Sequence, residues 1–150
     1  MLCAGVTVLA TAGLSEAQTA PSPTPAQIVK ARQAALAMSA VTFGAIKQGL
    51  DGGVDVSKLG FQARALAAWS AALPTMFPAG TGQGQTASDT KAKPEIWTNR
   101  TGFEAKAADY AAATAKLADL SKAGDTAGFT AQLGVVKKAC DACHSDFKER

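Results

Sequence analysis

The chain has 150 residues, with 15 Lys+Arg against 12 Asp+Glu, one His and three Cys. That length suits one domain with a real core, and a composition 47% hydrophobic and 18% charged excludes a disordered or collagen-like chain. The lone His144 excludes a site built from several histidines, and a net charge of +3 is too mild and too scattered to argue for nucleic-acid binding.

Residues 2–14 form an apolar run of 13, followed by Ser15-Glu16-Ala17 and then by polar, Pro-rich sequence. The run is shorter than the roughly 20 residues a membrane-spanning helix needs. It reads as the apolar segment and small-x-small cleavage site of a secretory signal over residues 1–17. No Lys or Arg precedes it, so a basic segment is expected upstream of Met1. Cys3 is expected to leave with the signal, and no membrane span is expected in the mature chain. The expected destination is an exported compartment, the bacterial periplasm, where a Cys pair becomes a disulfide unless something else uses it.

Residues 18–25 are a Pro-rich lead-in, and residues 26–150 read as one all-α domain, an antiparallel four-helix bundle. Thr24-Pro25-Ala26-Gln27 carries a helix start: a capping Thr, Pro at the first helical position and Gln three residues after the cap. Behind it Ile28, Arg32, Leu36, Ser39, Phe43, Ile46 and Leu50 recur at helical spacing, and Gly52-Gly53 ends the run. Asp55 is placed to cap a second helix with Leu59, Ala63, Leu66, Trp69 or Ser70, and Leu73 inward. Residues 78–93, rich in Gly, Gln, Thr and Ser, are the one long loop. Pro94-Glu95 opens a third helix with Phe103, Ala107, Tyr110, Thr114 and Leu117 on one face, stopped by Gly124. Asp125 caps the fourth, whose stripe is Phe129, Leu133, Val136, Cys140, Cys143 and Phe147. Two of the three connections are short, which suits an antiparallel bundle. The stripes alternate Val, Leu, Ile and Phe with Ala, which leaves room inside for something other than a side chain.

Cys140-Asp141-Ala142-Cys143-His144 carries the chemistry. C-x-x-C-H reads as a c-type haem attachment motif. On a helix the positions i, i+3 and i+4 share a face. Both thiols can therefore reach the vinyl groups of one haem edge, while the imidazole of His144 is aimed at the iron. Three rival readings are weaker. A structural zinc site wants four ligands, usually from two separated pairs. A thiol–disulfide oxidoreductase wants its C-x-x-C at a helix N-terminus, where the dipole lowers a thiol pKa, whereas here it lies near the helix C-terminus. A disulfide within one helical turn is strained and closes a tiny loop.

The motif ends six residues before the C-terminus. With Arg32-Gln33-Ala34-Ala35-Leu36 in the first helix, Thr90-Lys91-Ala92-Lys93-Pro94-Glu95-Ile96-Trp97 before the third, and Cys140 through Lys148 at the end, the whole mature chain resembles the class II c-type cytochromes, specifically cytochrome c′. The resemblance implies one covalent haem c per chain, with Cys140 and Cys143 as attachment points and His144 as axial ligand. It places Arg32 beside a haem propionate and Gln33 and Thr90 near the haem edge. Low-spin relatives carry a Met at the fourth position after the Arg. Here that position is Leu36, so the iron is expected to be five-coordinate. Met38, about 200° around the helix from Leu36, is expected to face elsewhere, and Met76 is expected in a loop. Lys148, one turn beyond His144, is expected near the proximal face, where the family has Arg or Lys.

A distal pocket lined by Leu36 and Phe77 is apolar and offers no hydrogen-bond donor. Neutral NO and CO lose least by entering it, whereas dioxygen and anionic ligands want a donor or a compensating charge. The resemblance implies NO and CO binding, protection against NO stress, and commonly a two-fold homodimer through the first two helices. The leading expectation is a gas-binding haem protein. The alternative is a one-electron carrier docking on an acidic redox partner through a mild positive bias. An enzyme ranks last, because no His, Glu or Arg can be placed distally as acid–base machinery.

Overall fold

A computed structural model describes residues 22–149. The secretory signal read over residues 1–17 and residues 18–21 of the lead-in lie outside the described residues. In chain order the helices are α1 (Pro25–Asp51), α2 (Gly60–Ala72), the short α3 (Glu95–Thr98), α4 (Arg100–Ala123) and α5 (Thr126–Phe147). Two 3-10 turns, Val56–Leu59 and Leu73–Met76, bracket α2. No strand occurs among the described residues, only an isolated bridge between Ala92 and Lys148. None of the described helices is long and apolar enough to cross a membrane.

Local signals set most boundaries. Thr24 and Gln27 form the reciprocal cap at the start of α1: the Gln27 amide donates to Thr24 Oγ1 at 3.3 Å, and the Thr24 amide donates to Gln27 Oε1 at 2.8 Å. Replacing Thr24 with Ala is expected to cost about 1 kcal/mol and to lower the melting temperature by about 3 °C, read by circular dichroism. An unchanged melting temperature would mean that α1 is held by packing alone. Gly124 ends α4 at φ +67°, a left-handed conformation that suits glycine. Asp125 then caps α5 by accepting from the Gly128 amide.

Three expectations need correction. Asp55 caps the 3-10 turn Val56–Leu59, which leads into α2. The third helix does not run unbroken from Pro94, because Asn99 leaves helical geometry at φ −120°, ψ 56° and its side chain accepts from the Gly102 amide. This cap starts α4 afresh and sets off α3 as a separate turn. Met76 belongs to the 3-10 turn Leu73–Met76 rather than to a loop.

The pairing of side chains gives the antiparallel order. Ser70 meets Thr114 at 2.7 Å, and Ser121 donates to the Val56 carbonyl, which sets α2 against α4. Phe103 stacks on Phe147, and Gln132 donates to the Ala113 carbonyl, which sets α4 against α5. Arg32 over the Phe77 ring sets α1 against the end of the α2 segment. At one end the bundle is filled by Ile46, Val56, Leu66, Leu117, Phe129, Leu133 and Val136, all buried. Arg32 and Ile46 are buried as the α1 stripe predicts, and Leu36, Phe43 and Leu50 pack partly on the core. Val29, rather than Ile28, is the fully buried residue at the start of α1.

The loop between α2 and α3 closes the other end. Ser88 donates to the Ala26 carbonyl and Gln33 to the Asp89 carbonyl, which fastens the loop to α1. Lys93 donates to the Phe147 carbonyl and Glu149 to the Lys91 carbonyl, which fastens it to the tail of α5.

Candidate functional site

A cavity of about 600 Å³ lies at the loop-closed end, lined by residues of α1, α2, α4 and α5 and of the loop before α3. That is within the range of cofactor sites, roughly 300–1,000 Å³. Small residues beside the stripes contribute to it: Ala37 and Ala40 on α1 and Ala139 on α5 line it where longer side chains would fill it. Phe77, Phe103 and Phe147, stacked edge-on at centroid distances of 5.0 and 5.5 Å, contribute to its wall.

All of the residues singled out from the sequence line this cavity: Arg32, Gln33, Leu36, Phe77, Thr90, Cys140, Cys143, His144 and Lys148. Cys140 and Cys143 are free, half-buried thiols on α5, one turn apart. Burial pushes both pKa values up, that of Cys143 to about 11, where the neighbouring Cys140, whenever it ionises, and Asp146 add to the effect. These thiols are protonated at neutral pH, which argues against a thiolate redox motif; burial is the leading cause. His144 is exposed at the cavity edge. Partial desolvation lowers its pKa and the neighbouring Lys148 lowers it further, which favours the neutral imidazole that ligates a metal.

Arg32 is 1% exposed. Its guanidinium makes four hydrogen bonds, to the Met76 carbonyl, the Thr81 carbonyl, Thr81 Oγ1 and Thr90 Oγ1, at 3.0–3.2 Å. It also lies 4.3 Å from the Phe77 ring centroid. All four acceptors are neutral, and burial lowers its pKa. None of the ion pairs among the described residues involves it. A buried cation without an anionic partner is costly, so an acidic group within the cavity suits this wall. Two thiols one turn apart, an adjacent imidazole and a buried guanidinium with neutral partners are a donor set that fits a porphyrin with acidic side chains.

On the α1 wall the lining residues after Leu36 are Ala37, Ser39, Ala40 and Phe43. The Ser39 hydroxyl donates to the Leu36 carbonyl at 2.8 Å. Met38 is 63% exposed, and neither it nor Met76 lines the cavity. Trp69 and Tyr110, read from the sequence as core, line the cavity too, as do Lys91, Lys106 and Lys137. Burial pushes the Tyr110 phenol well above its usual pKa, so it stays protonated.

The Cytochrome C' family model matches residues 27–148. The chain is 35% identical over 128 residues to a cytochrome c' from Rubrivivax gelatinosus, an alignment covering 84% of this chain and 97% of that protein. It superposes on the crystal structure of cytochrome c' from Thermochromatium tepidum with a TM-score of 0.79 at 27% identity, covering 85% of this chain and 98% of the other. A ferrous variant of cytochrome c prime from Alcaligenes xylosoxidans with bound NO gives a TM-score of 0.76 at 30% identity, covering 87% and 99%. The chain belongs to the cytochrome c′ family, four-helix-bundle proteins that carry a covalently bound c-type haem.

Proposed function

We propose that this protein is an exported, high-spin haem protein that binds NO and CO at an apolar distal wall. Cys140 and Cys143 would hold the haem by thioether bonds, and His144 would be the only protein ligand to its iron. When bound, the haem supplies an iron that takes up or gives one electron and accepts a small diatomic ligand. Arg32, held by Thr81 and Thr90, would offer its remaining charge to a propionate, with Gln33 and Thr90 nearby. Lys148 would lie on the His144 side, where its point charge cannot form the planar fork of an Arg.

The single observation that carries the reading is Leu36. It lines the same cavity as Cys140, Cys143 and His144 but from α1, one turn beyond Arg32, and it has no lone pair to give. The Met residues nearest in sequence point elsewhere or lie off the cavity. A ligand reaching that side meets carbon, so a neutral molecule is favoured over an anion. The NO-bound relative from Alcaligenes xylosoxidans supports NO as the ligand. Beyond Arg32 and Gln33, the α1 lining is Leu36, Ala37, Ser39, Ala40 and Phe43, and the reading is therefore ligand binding rather than turnover.

Export to the periplasm is the reading that the segment at residues 1–17 supports, with haem c attached after translocation. A homodimer through α1 and α2 is supported by their exposed apolar residues, Met38 and Val41 on α1 and Phe61 on α2.

The test is spectroscopic. Colour is expected to stay with the protein in acid acetone, and Cys140→Ala with Cys143→Ala is expected to release it. The reduced protein is expected to show a high-spin Soret band that shifts on adding CO. A sharp low-spin α band with no response to CO would show a sixth protein ligand and would sink the proposal.

A further inference from the structure

Tyr110 carries a hydroxyl that the fold leaves without a partner. The residue is 8% exposed and lines the cavity. Its backbone carbonyl accepts from Thr114, but no hydrogen bond reaches its phenolic oxygen among the described residues. Among the same residues, the unpartnered polar side-chain atoms sealed off from any space are Gln62 Oε1 and Trp69 Nε1. The phenolic oxygen is not one of them, so it opens on the space that its ring lines. A buried hydroxyl with nothing to bond is costly. A Phe would pack the same wall without that cost, so packing does not explain the oxygen.

Helix register says what stands opposite. Phe103 of α4 stacks edge-on against Phe147 of α5 at 5.5 Å. Two helical turns, seven residues, lead from Phe103 to Tyr110 on the same face of α4. The same step back from Phe147 leads to Cys140 on the same face of α5. In an antiparallel pair Tyr110 therefore faces Cys140, and both line the cavity. The two are within electrostatic reach of one another. Asp141, next in the motif, is held by Lys137 at 2.6 Å and is 62% exposed. Lys106, one turn before Tyr110, lines the cavity but has only donors to offer. The Thr114 hydroxyl, one turn after it, is shared with Ser70.

We propose that the Tyr110 hydroxyl tunes the midpoint potential of the haem, its O–H directed at the electron-rich edge tethered through Cys140 and favouring the ferrous state. The inference rests on the haem reading above and adds a residue to that site. A ferrous haem holds one electron more than a ferric one, and the positive end of an O–H dipole aimed at it stabilises that extra charge. The surroundings are apolar, with Phe103 and Phe147 beside it on the same two helices, so the dipole is weakly screened. Burial holds the phenol well above its usual pKa. The hydroxyl therefore keeps its proton in both oxidation states, and no bond forms or breaks at Tyr110.

The test is potentiometric, on the holoprotein. Tyr110→Phe removes the dipole and keeps the ring. At a fixed applied potential near the midpoint, the ratio of ferrous to ferric protein is expected to fall about threefold. At 59 mV per tenfold for a one-electron couple, that is a drop of about 28 mV. Ser121→Ala is the control: it deletes a buried hydroxyl that donates to the Val56 carbonyl and does not line the cavity. It is expected to lower the melting temperature and leave the ratio unchanged. In the diamagnetic ferrous CO complex, proton NMR is expected to show the Tyr110 ring close to the Cys140 β protons. An unchanged or raised potential in Tyr110→Phe, an equal fall in Ser121→Ala, or no cross-peak between Tyr110 and Cys140 would overturn the proposal. A protein that keeps its haem in acid acetone yet gives any of these results sinks the role of Tyr110 alone. A protein that loses its colour sinks the haem reading and this inference together.

Discussion

Leu36→Ala is expected to bind CO faster and more tightly by about 100-fold. The side chain lines the cavity that the motif residues also line, and packs partly on the core. A ligand on that side needs it swung away. If the open arrangement holds about 1% of molecules, apparent affinity is reduced by that fraction, and removing the obstacle restores it. Leu36 is only half-buried, so the lost packing is expected to cost less than the 2–5 kcal/mol of a fully buried Leu. The measurement is stopped-flow CO association on the ferrous protein, wild type beside variant. Equal rates would show that Leu36 does not stand over the iron. Leu36→Met makes the complementary case, because a thioether at that position can ligate; it is expected to sharpen the α band and abolish the CO response.

This chain was legible where function depends on spacing along one helix. Cys140, Cys143 and His144 share a face because of helical geometry alone, and Arg32 and Leu36 lie one turn apart for the same reason. Thr24 and Gln27 form their cap from neighbouring residues. The interruption at Asn99 was harder to read. A single Asn with an amide three residues on is a weak signal beside the unbroken periodicity of Phe103, Ala107 and Tyr110 that follows.

Trp69 and Tyr110 show the limit of periodicity. It reports that a face turns inward, not whether that face meets another side chain or a space. Both residues are on inward stripes, and both turn out to line the cavity. The Ala positions on α1 and α5 were the visible hint, since small residues facing one another leave volume unfilled. The environment of Arg32 was beyond reach for another reason. Thr81 is 49 residues away and sits in a loop whose path is set by tertiary hydrogen bonds. The sequence pointed to a propionate for Arg32; the fold adds neutral partners that hold the guanidinium in place.

Arg32 is therefore expected to matter to the fold as much as to the cofactor. Arg32→Met leaves the Met76 and Thr81 carbonyls without the donor they share with α1, and strips one acceptor contact from each of the Thr81 and Thr90 hydroxyls. Thr81 still donates to the Pro78 carbonyl, and Thr90 still accepts from the Ala92 amide, so the loop loses its anchor to α1 rather than its internal turns. A buried acceptor left unsatisfied costs about 1–3 kcal/mol, so the two carbonyls together cost about 2–6 kcal/mol, and at about 3 °C per kcal/mol the melting temperature should drop by roughly 10 °C. Hydrogen exchange should rise between Thr81 and Thr90 before it rises in α4. Arg32→Lys keeps a cation but not the fork that reaches Met76, Thr81 and Thr90 together, so its loss should be intermediate. The midpoint potential adds a reading that packing alone would not move. Removing a positive charge near the iron favours the ferric state, so the potential should fall in Arg32→Met and stay nearer wild type in Arg32→Lys. A melting temperature within about 2 °C of wild type would show that the loop is held by its contacts to Ala26, Asp89 and Phe147 instead.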